Sequence, residues 1–206
     1  MKGTMRTHPL DDRGSFAWVA DPSEVMQRAS CAVVTDSGVL VIDPVDHPDL
    51  DAHLMPLGPV SAVVRLLSRH NRDGQAVASR HGVQVVGPSR LNGLDGATAI
   101  PIPAMPGWEE TALWFPATGL LVCMEAVGTA SYFLAHRGDH LGIHPLLRVR
   151  PPRGALGSLR PTAIAVGHGV PVTIGADRAL ADALATSRRG LPAAWLRAAR
   201  AAFRRS

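Results

Sequence analysis

Residues 31–42, CAVVTDSGVLVI, constrain the fold more than any other segment. Two runs of β-branched and apolar residues flank Asp36-Ser37-Gly38, which has the composition of a tight turn, so the pair reads as a β-hairpin. Short apolar runs of strand length recur at 15–20, 61–67, 83–86, 99–103, 111–115, 120–123 and 162–166. Helical spacing is confined to four places. These are 46–55, 75–81 with Gly82 as its C-cap, 176–187 stopped by Gly190, and a segment opened by Pro192 that runs to about Phe203. Residues 1–14 and 87–98 read as loops, and 126–160, with glycine and proline scattered through it, reads as irregular. Several strands adjoin with no helix between them, which excludes a plain βαβ alternation. Two sheets face to face with helices outside bury every apolar run. No repeat or linker divides the chain, so 1–206 is expected to be a single α+β domain.

Composition narrows the class. At 206 residues, 46% hydrophobic and 18% charged, the chain can bury a full core and is not disordered. No run approaches the roughly 18 apolar residues of a membrane span. Residues 1–14 are polar without an apolar stretch, so no signal peptide is expected. Cys31 and Cys123 are too few for a disulfide framework and read as buried thiols in a reducing cytoplasm. The net charge of +4 belongs to the tail. Residues 183–206 carry six arginines and no acid, and the remainder carries 15 basic and 17 acidic residues. In that tail Leu191, Trp195, Ala199, Ala202 and Phe203 form an apolar stripe opposite Arg197, Arg200 and Arg204. This predicts an amphipathic basic helix over 191–206, docked with a solvated face or weakly binding an anionic partner, lipid headgroups or nucleic acid. Aromatics are 4% of the chain, which leaves little for base stacking. Dinucleotide-binding, phosphate-loop and serine-elbow motifs are absent from the sequence.

Chemistry is expected where polar residues follow buried strands, because a rigid scaffold there holds side chains that still reach a cleft. Four such points occur: Asp43 after VLVI, the turn 68–74 after SAVVRLL, Glu125 after LLVCM, and His168 after TAIAV. Each has a plainer reading. Asp43 before Pro44 can orient a turn, and Asp73 can cap the helix that follows it. His70 can be a surface histidine, Glu125 a solvated acid, and His168, between two glycines, a turn residue. His136, His140 and His144 are spaced four apart, but Gly138, Gly142 and Pro145 oppose the helix that would align them.

In order and spacing, VLVIDP, a strand into a polar turn and helix, Met105-Pro106-Gly107-Trp108, TALWFPATGLLVCMEA and VGHGVPV resemble the metallo-β-lactamase superfamily over residues 15–175. The resemblance implies a four-layer αββα sandwich, with metal-activated hydrolysis at one edge between the sheets. The family's turn carries His-x-His-x-Asp-His. With Asp73 at its aspartate, Arg69 and Asn71 take the first two histidine positions and Gly74 the third. Trp108 stands for a further histidine and Glu125 for the bridging aspartate, while Asp73 and His168 match. Shifting the register by one gains His70 and loses Asp73. One metal position thereby loses its three imidazoles, and the other keeps Asp73, Glu125 and His168.

The expected protein is therefore a catalytically impaired or non-zinc member that binds a small molecule or partner in the former cleft. Arg69 would act as counter-charge beside two carboxylates in place of an ion, and no cofactor is expected. The alternative is a hydrolase using one divalent ion on Asp73, Glu125 and His168, with Asp73 and His168 catalytic. That oxygen-rich set favours manganese, iron or magnesium over zinc. A third reading is an anionic-surface binder acting through the arginine-rich tail.

Overall fold

A computed structural model describes residues 5–191 apart from 71, 104 and 137, together with residue 195. The strands in chain order are β1 (Arg6–Pro9), β2 (Phe16–Val19), β3 (Ala29–Thr35), β4 (Gly38–Ile42), β5 (Val60–Val64), β6 (Val85–Val86), β7 (Thr98–Ile102), β8 (Glu110–Phe115), β9 (Leu120–Cys123), β10 (Val127–Gly128), β11 (Gly142–Ile143) and β12 (Ala163–Val166). The first six form one sheet in sequence order. The second sheet runs β12-β9-β8-β7, and β10 pairs with β11 alone. The helices are α1 (Leu50–Leu54), α2 (Gly74–His81), α3 (Arg153–Leu156) and α4 (Ala176–Thr186).

Strand alternation builds the layers. Leu40 and Ile42 of β4 point between the sheets and meet Leu113, Leu120 and Val122 from the other side. Their neighbours Val39 and Val41 point outward onto Leu50 and Leu54 of α1 and Val77 and Ala78 of α2. In β9 the same alternation sends Leu121 and Cys123 outward onto Leu156 of α3 and Leu180 and Leu184 of α4. Both faces of each central strand are buried, which is why these strands read as continuous apolar runs. The result is the expected αββα sandwich, with α1 and α2 on one side and α3 and α4 on the other.

Two regions depart from the sequence reading. Residues 6–9 form an edge strand rather than a loop, paired antiparallel with β2. Its side chains are largely exposed, so no apolar period announces it. Segment 126–160 contains β10, β11 and α3, elements of two to four residues that are too short to show a period. Gly82 closes α2 in the left-handed region at φ 67°, as its composition predicts. Both cysteines are free and buried. The amphipathic helix expected over 191–206 lies, except for residues 191 and 195, outside the described residues. Among the described residues no helix is long and apolar enough to cross a membrane.

Candidate metal centre

β4 and β5 run parallel, and so do β9 and β12. Parallel strands end on the same side, so Asp43, the 65–73 turn, Glu125 and His168 all leave the sheets at one edge. Bridges between Leu67 and Glu110 and between Arg28 and His168 draw the two sheets together there. Gly167 permits the closest approach, since a Cβ on it would collide with the Met124 carbonyl. Asp43 adopts φ 43°, a left-handed conformation that costs about 1–3 kcal/mol in a non-glycine residue and that active sites commonly hold.

Glu125 is the hub. Its Oε2 lies 3.0 Å from His70 Nε2 and 3.2 Å from His168 Nε2. Its Oε1 lies 3.5 Å from His144 Nε2 and 3.9 Å from Arg69 Nη2. Behind the first two rings, His70 Nδ1 is 3.4 Å from Asp43 Oδ2, and His168 Nδ1 is 2.9 Å from the Met26 carbonyl oxygen. A carbonyl and a carboxylate only accept, so each Nδ1 is backed by an acceptor while each Nε2 faces the Glu125 carboxylate, to which it donates when it carries a hydrogen. His144 is set the other way. Its Nδ1 accepts from the Leu146 N–H at 3.2 Å, so its Nε2–H points at Glu125. Among the described residues, His70, Glu125 and His168 form the one group of three ligand atoms within 4.8 Å of one another.

Burial would raise the Glu125 carboxyl, but hydrogen bonds from His168 and His70 outweigh it and hold Glu125 well below the ordinary carboxylate range. Burial would likewise lower His70, and contacts with Asp43 and Glu125 outweigh it and raise the ring. His144 is pushed down to about 4, mainly by burial among Trp108, Tyr132 and Phe133. A histidine depressed in the folded state contributes stability above its unfolded value near 6.5, and that stability disappears as pH falls through 4. Acidification over this range is therefore expected to remove about 3 kcal/mol that His144→Asn does not lose. Urea unfolding of both proteins at several pH values checks this, and parallel pH profiles would contradict it.

A buried carboxylate sets the frame. Glu110, 2% exposed at the start of β8, accepts from the Glu125 N–H at 2.8 Å and Cys123 Sγ at 3.3 Å through Oε1. Its Oε2 accepts from the Ala126 N–H at 2.8 Å and Trp108 Nε1 at 3.2 Å. Burial pushes this carboxyl up despite those donors. Arg72 closes the edge. Its guanidinium donates to the carbonyls of Ala29, Asp43 and Gly167, which belong to strand ends of both sheets.

Several sequence expectations change. Asp73 does not join the cluster, because its carboxylate accepts the Asp46 N–H at 2.8 Å and braces the loop after β4. It occupies the N-cap position of α2 without a side-chain capping bond. His70 takes the place that the sequence reading gave to Asp73. Arg69 neighbours one carboxylate rather than two, and its guanidinium lies 4.6 Å from the centroid of the Trp108 ring. Gly74 opens α2 and packs toward Val63. Asn71 lies outside the described residues. Of the spaced histidines, His144 enters the site, while His136 and His140 are exposed. Glu110, Arg72 and the inward turn of His144 join the site without a local signal in the sequence.

No protein-family model matches the sequence, and no curated protein matches it. Solved structures do. A metallo-β-lactamase from Hirschia baltica is 11% identical with a TM-score of 0.59, over 90% of this chain and 98% of that one. One from Pontibacter korlensis is 14% identical with a TM-score of 0.57, over 90% and 99%. A third, from Erythrobacter litoralis in a mono-zinc form, is 15% identical with a TM-score of 0.58, over 95% and 99%.

Proposed function

We propose that this chain, whose fold is that of the metallo-β-lactamases, holds one divalent cation between His70, Glu125 and His168 and acts there as a hydrolase. The observation that carries the reading is the direction of the two imidazoles. Both Nε2 atoms converge on one Glu125 oxygen, 3.0 and 3.2 Å away, and both Nδ1 atoms are backed by acceptors, as in ligating histidines held from behind. A cation among the three atoms would take the place of the protons that the two rings otherwise share with Glu125. Two nitrogens and one carboxylate are a donor set suited to zinc, with a position left for water or substrate. Replacing Asp73 by His70 moves the set away from the oxygen-rich one read from sequence. When bound, such a cation polarises a carbonyl or phosphoryl oxygen and lowers the pKa of bound water toward neutrality.

The chain's own groups prepare the site. Asp43 and the Met26 carbonyl fix the tautomers of His70 and His168, as outer partners of ligating histidines do. The His144 Nε2–H faces the second Glu125 oxygen. Arg69 and Arg72 add two positive charges beside the cluster, which disfavours a second cation. A similar structure was solved in a mono-zinc form, which supports a single-ion reading of this frame.

Metal analysis of protein purified without chelator or affinity tag, followed by dialysis against zinc or manganese, tests this. About one equivalent is expected. Glu125→Gln or His168→Ala should weaken binding by at least about a hundredfold, and Asp73→Ala by no more than about threefold. A wild-type protein that takes up neither metal at neutral pH would overturn the proposal. A second reading keeps the frame without an ion. It is favoured by Arg69 standing 3.9 Å from Glu125, where a fixed positive charge replaces a mobile one. The chain would then bind a small ligand in the cleft without hydrolysing it, and chelator would leave its melting temperature unchanged.

A further inference from the structure

We infer that Arg69 is the anion-recognising residue of this cleft, and that the ligand carries an oxyanion, a carboxylate or a phosphate, next to the group that reaches Glu125. The inference rests on the cleft at Glu125 being the functional site, and it holds whether or not an ion is bound there.

Arg69 sits in the turn after β5 with its side chain 47% exposed. Its contact to Glu125 Oε1 is 3.9 Å, beyond hydrogen-bonding distance, while His70 and His168 engage the other oxygen, Oε2. Among the described residues, no acceptor takes a hydrogen bond from its guanidinium. A guanidinium carries five N–H donors in a planar fork that matches a carboxylate or phosphate edge.

A free surface arginine would sample many positions, but this one is held. Its guanidinium lies over Trp108, a cation–π arrangement that leaves the N–H edge open. Trp108 is 6% exposed and packs against His144 with ring centroids 5.0 Å apart. Its Nε1–H donates to Glu110, the same carboxylate that accepts the Glu125 backbone N–H. One buried group thus anchors both the platform under Arg69 and the hub of the cluster, and the fold fixes the spacing between cation and reactive centre. Such preorganisation reduces what ordering would otherwise cost on binding. An oxyanion seated on the open edge of Arg69 lies within a short group's length of Glu125, so the anionic group and the group acted on are near neighbours in the ligand.

Calorimetric titration of the full chain with inorganic phosphate and with sodium acetate, at constant ionic strength, tests this on protein as purified and after chelation. Saturable binding of at least one anion at one site is expected, in the millimolar range. Arg69→Gln should weaken it by roughly tenfold or more, while Arg178→Ala, an exposed arginine on α4, should leave it unchanged. Thermal melts confirm that both variants fold. The preferred anion reports whether the ligand is a carboxylate or a phosphate. Arg69-dependent binding that survives chelation supports the inference even if the metal proposal fails. Failure of both anions to saturate would overturn it, as would saturation that requires metal and ignores Arg69→Gln.

Discussion

Replacing Arg72 by methionine is expected to lower the stability of the fold by about 3–5 kcal/mol and its melting temperature by roughly 10 °C. Methionine keeps the length of the side chain and removes every donor. The carbonyls left behind belong to Ala29 at the start of β3, Asp43 after β4 and Gly167 after β12. All three residues are buried, and although the Asp43 carbonyl keeps the Ser30 hydroxyl and the Gly167 carbonyl keeps the Ala29 N–H, each loses a charged donor worth about 1.5–3 kcal/mol, offset in part because a buried charge is removed. The loss is a joint one, because the guanidinium ties strand ends of one sheet to the loop leaving the other. Lysine in its place should recover only part of it, since an ammonium lacks the planar fork. Burial lowers the Arg72 pKa from its usual value, yet an arginine remains charged at every working pH, so the effect should be flat with pH. A thermal melt of Arg72→Met within 2 °C or so of wild type would mean that the remaining donors and solvent satisfy these carbonyls and the guanidinium merely lies against them.

What could be read from sequence divides along a physical line. The β3–β4 hairpin, the β8–β9 pair and α4 repeat an apolar period long enough to detect, and they lie within a residue or two of where the pattern puts them. Edge strand β1 buries little and shows no such period. In the site, Asp43, Glu125 and His168 were legible because each directly follows a buried strand. His70 was not, because the path of the 65–73 turn decides whether position 70 or 73 faces the cleft, and motif alignment favoured 73. The chain instead turns Asp73 toward the Asp46 N–H and brings His70 between Asp43 and Glu125. Glu110, Arg72 and His144 owe their places to contacts far along the chain, with the Ala126 N–H, the Gly167 carbonyl and Glu125 respectively. Contacts at such separations leave no local pattern in the chain.

Glu110→Gln should be the most informative change within the site, because it preserves shape and alters only donor chemistry. The carboxylate of Glu110 accepts through both oxygens, two donors to each. A glutamine must turn its amide NH2 toward one pair. In one orientation it faces the Trp108 Nε1–H and the Ala126 N–H, and in the other it faces the Cys123 thiol and the Glu125 N–H. Two buried donors are then opposed by a third, at about 1–3 kcal/mol each. Removing a buried charge returns part of that, since burial already pushes this carboxyl upward. The net loss is expected to be about 2–4 kcal/mol, a fall in melting temperature of several degrees. A folded Glu110→Gln protein should also bind zinc roughly tenfold more weakly, because the Glu125 backbone is no longer fixed from behind. Neither number follows if Glu110 is an ordinary buried acid whose donors are satisfied elsewhere. A variant that melts with wild type and takes up zinc equally would show that the position of Glu125 is set by β9 alone.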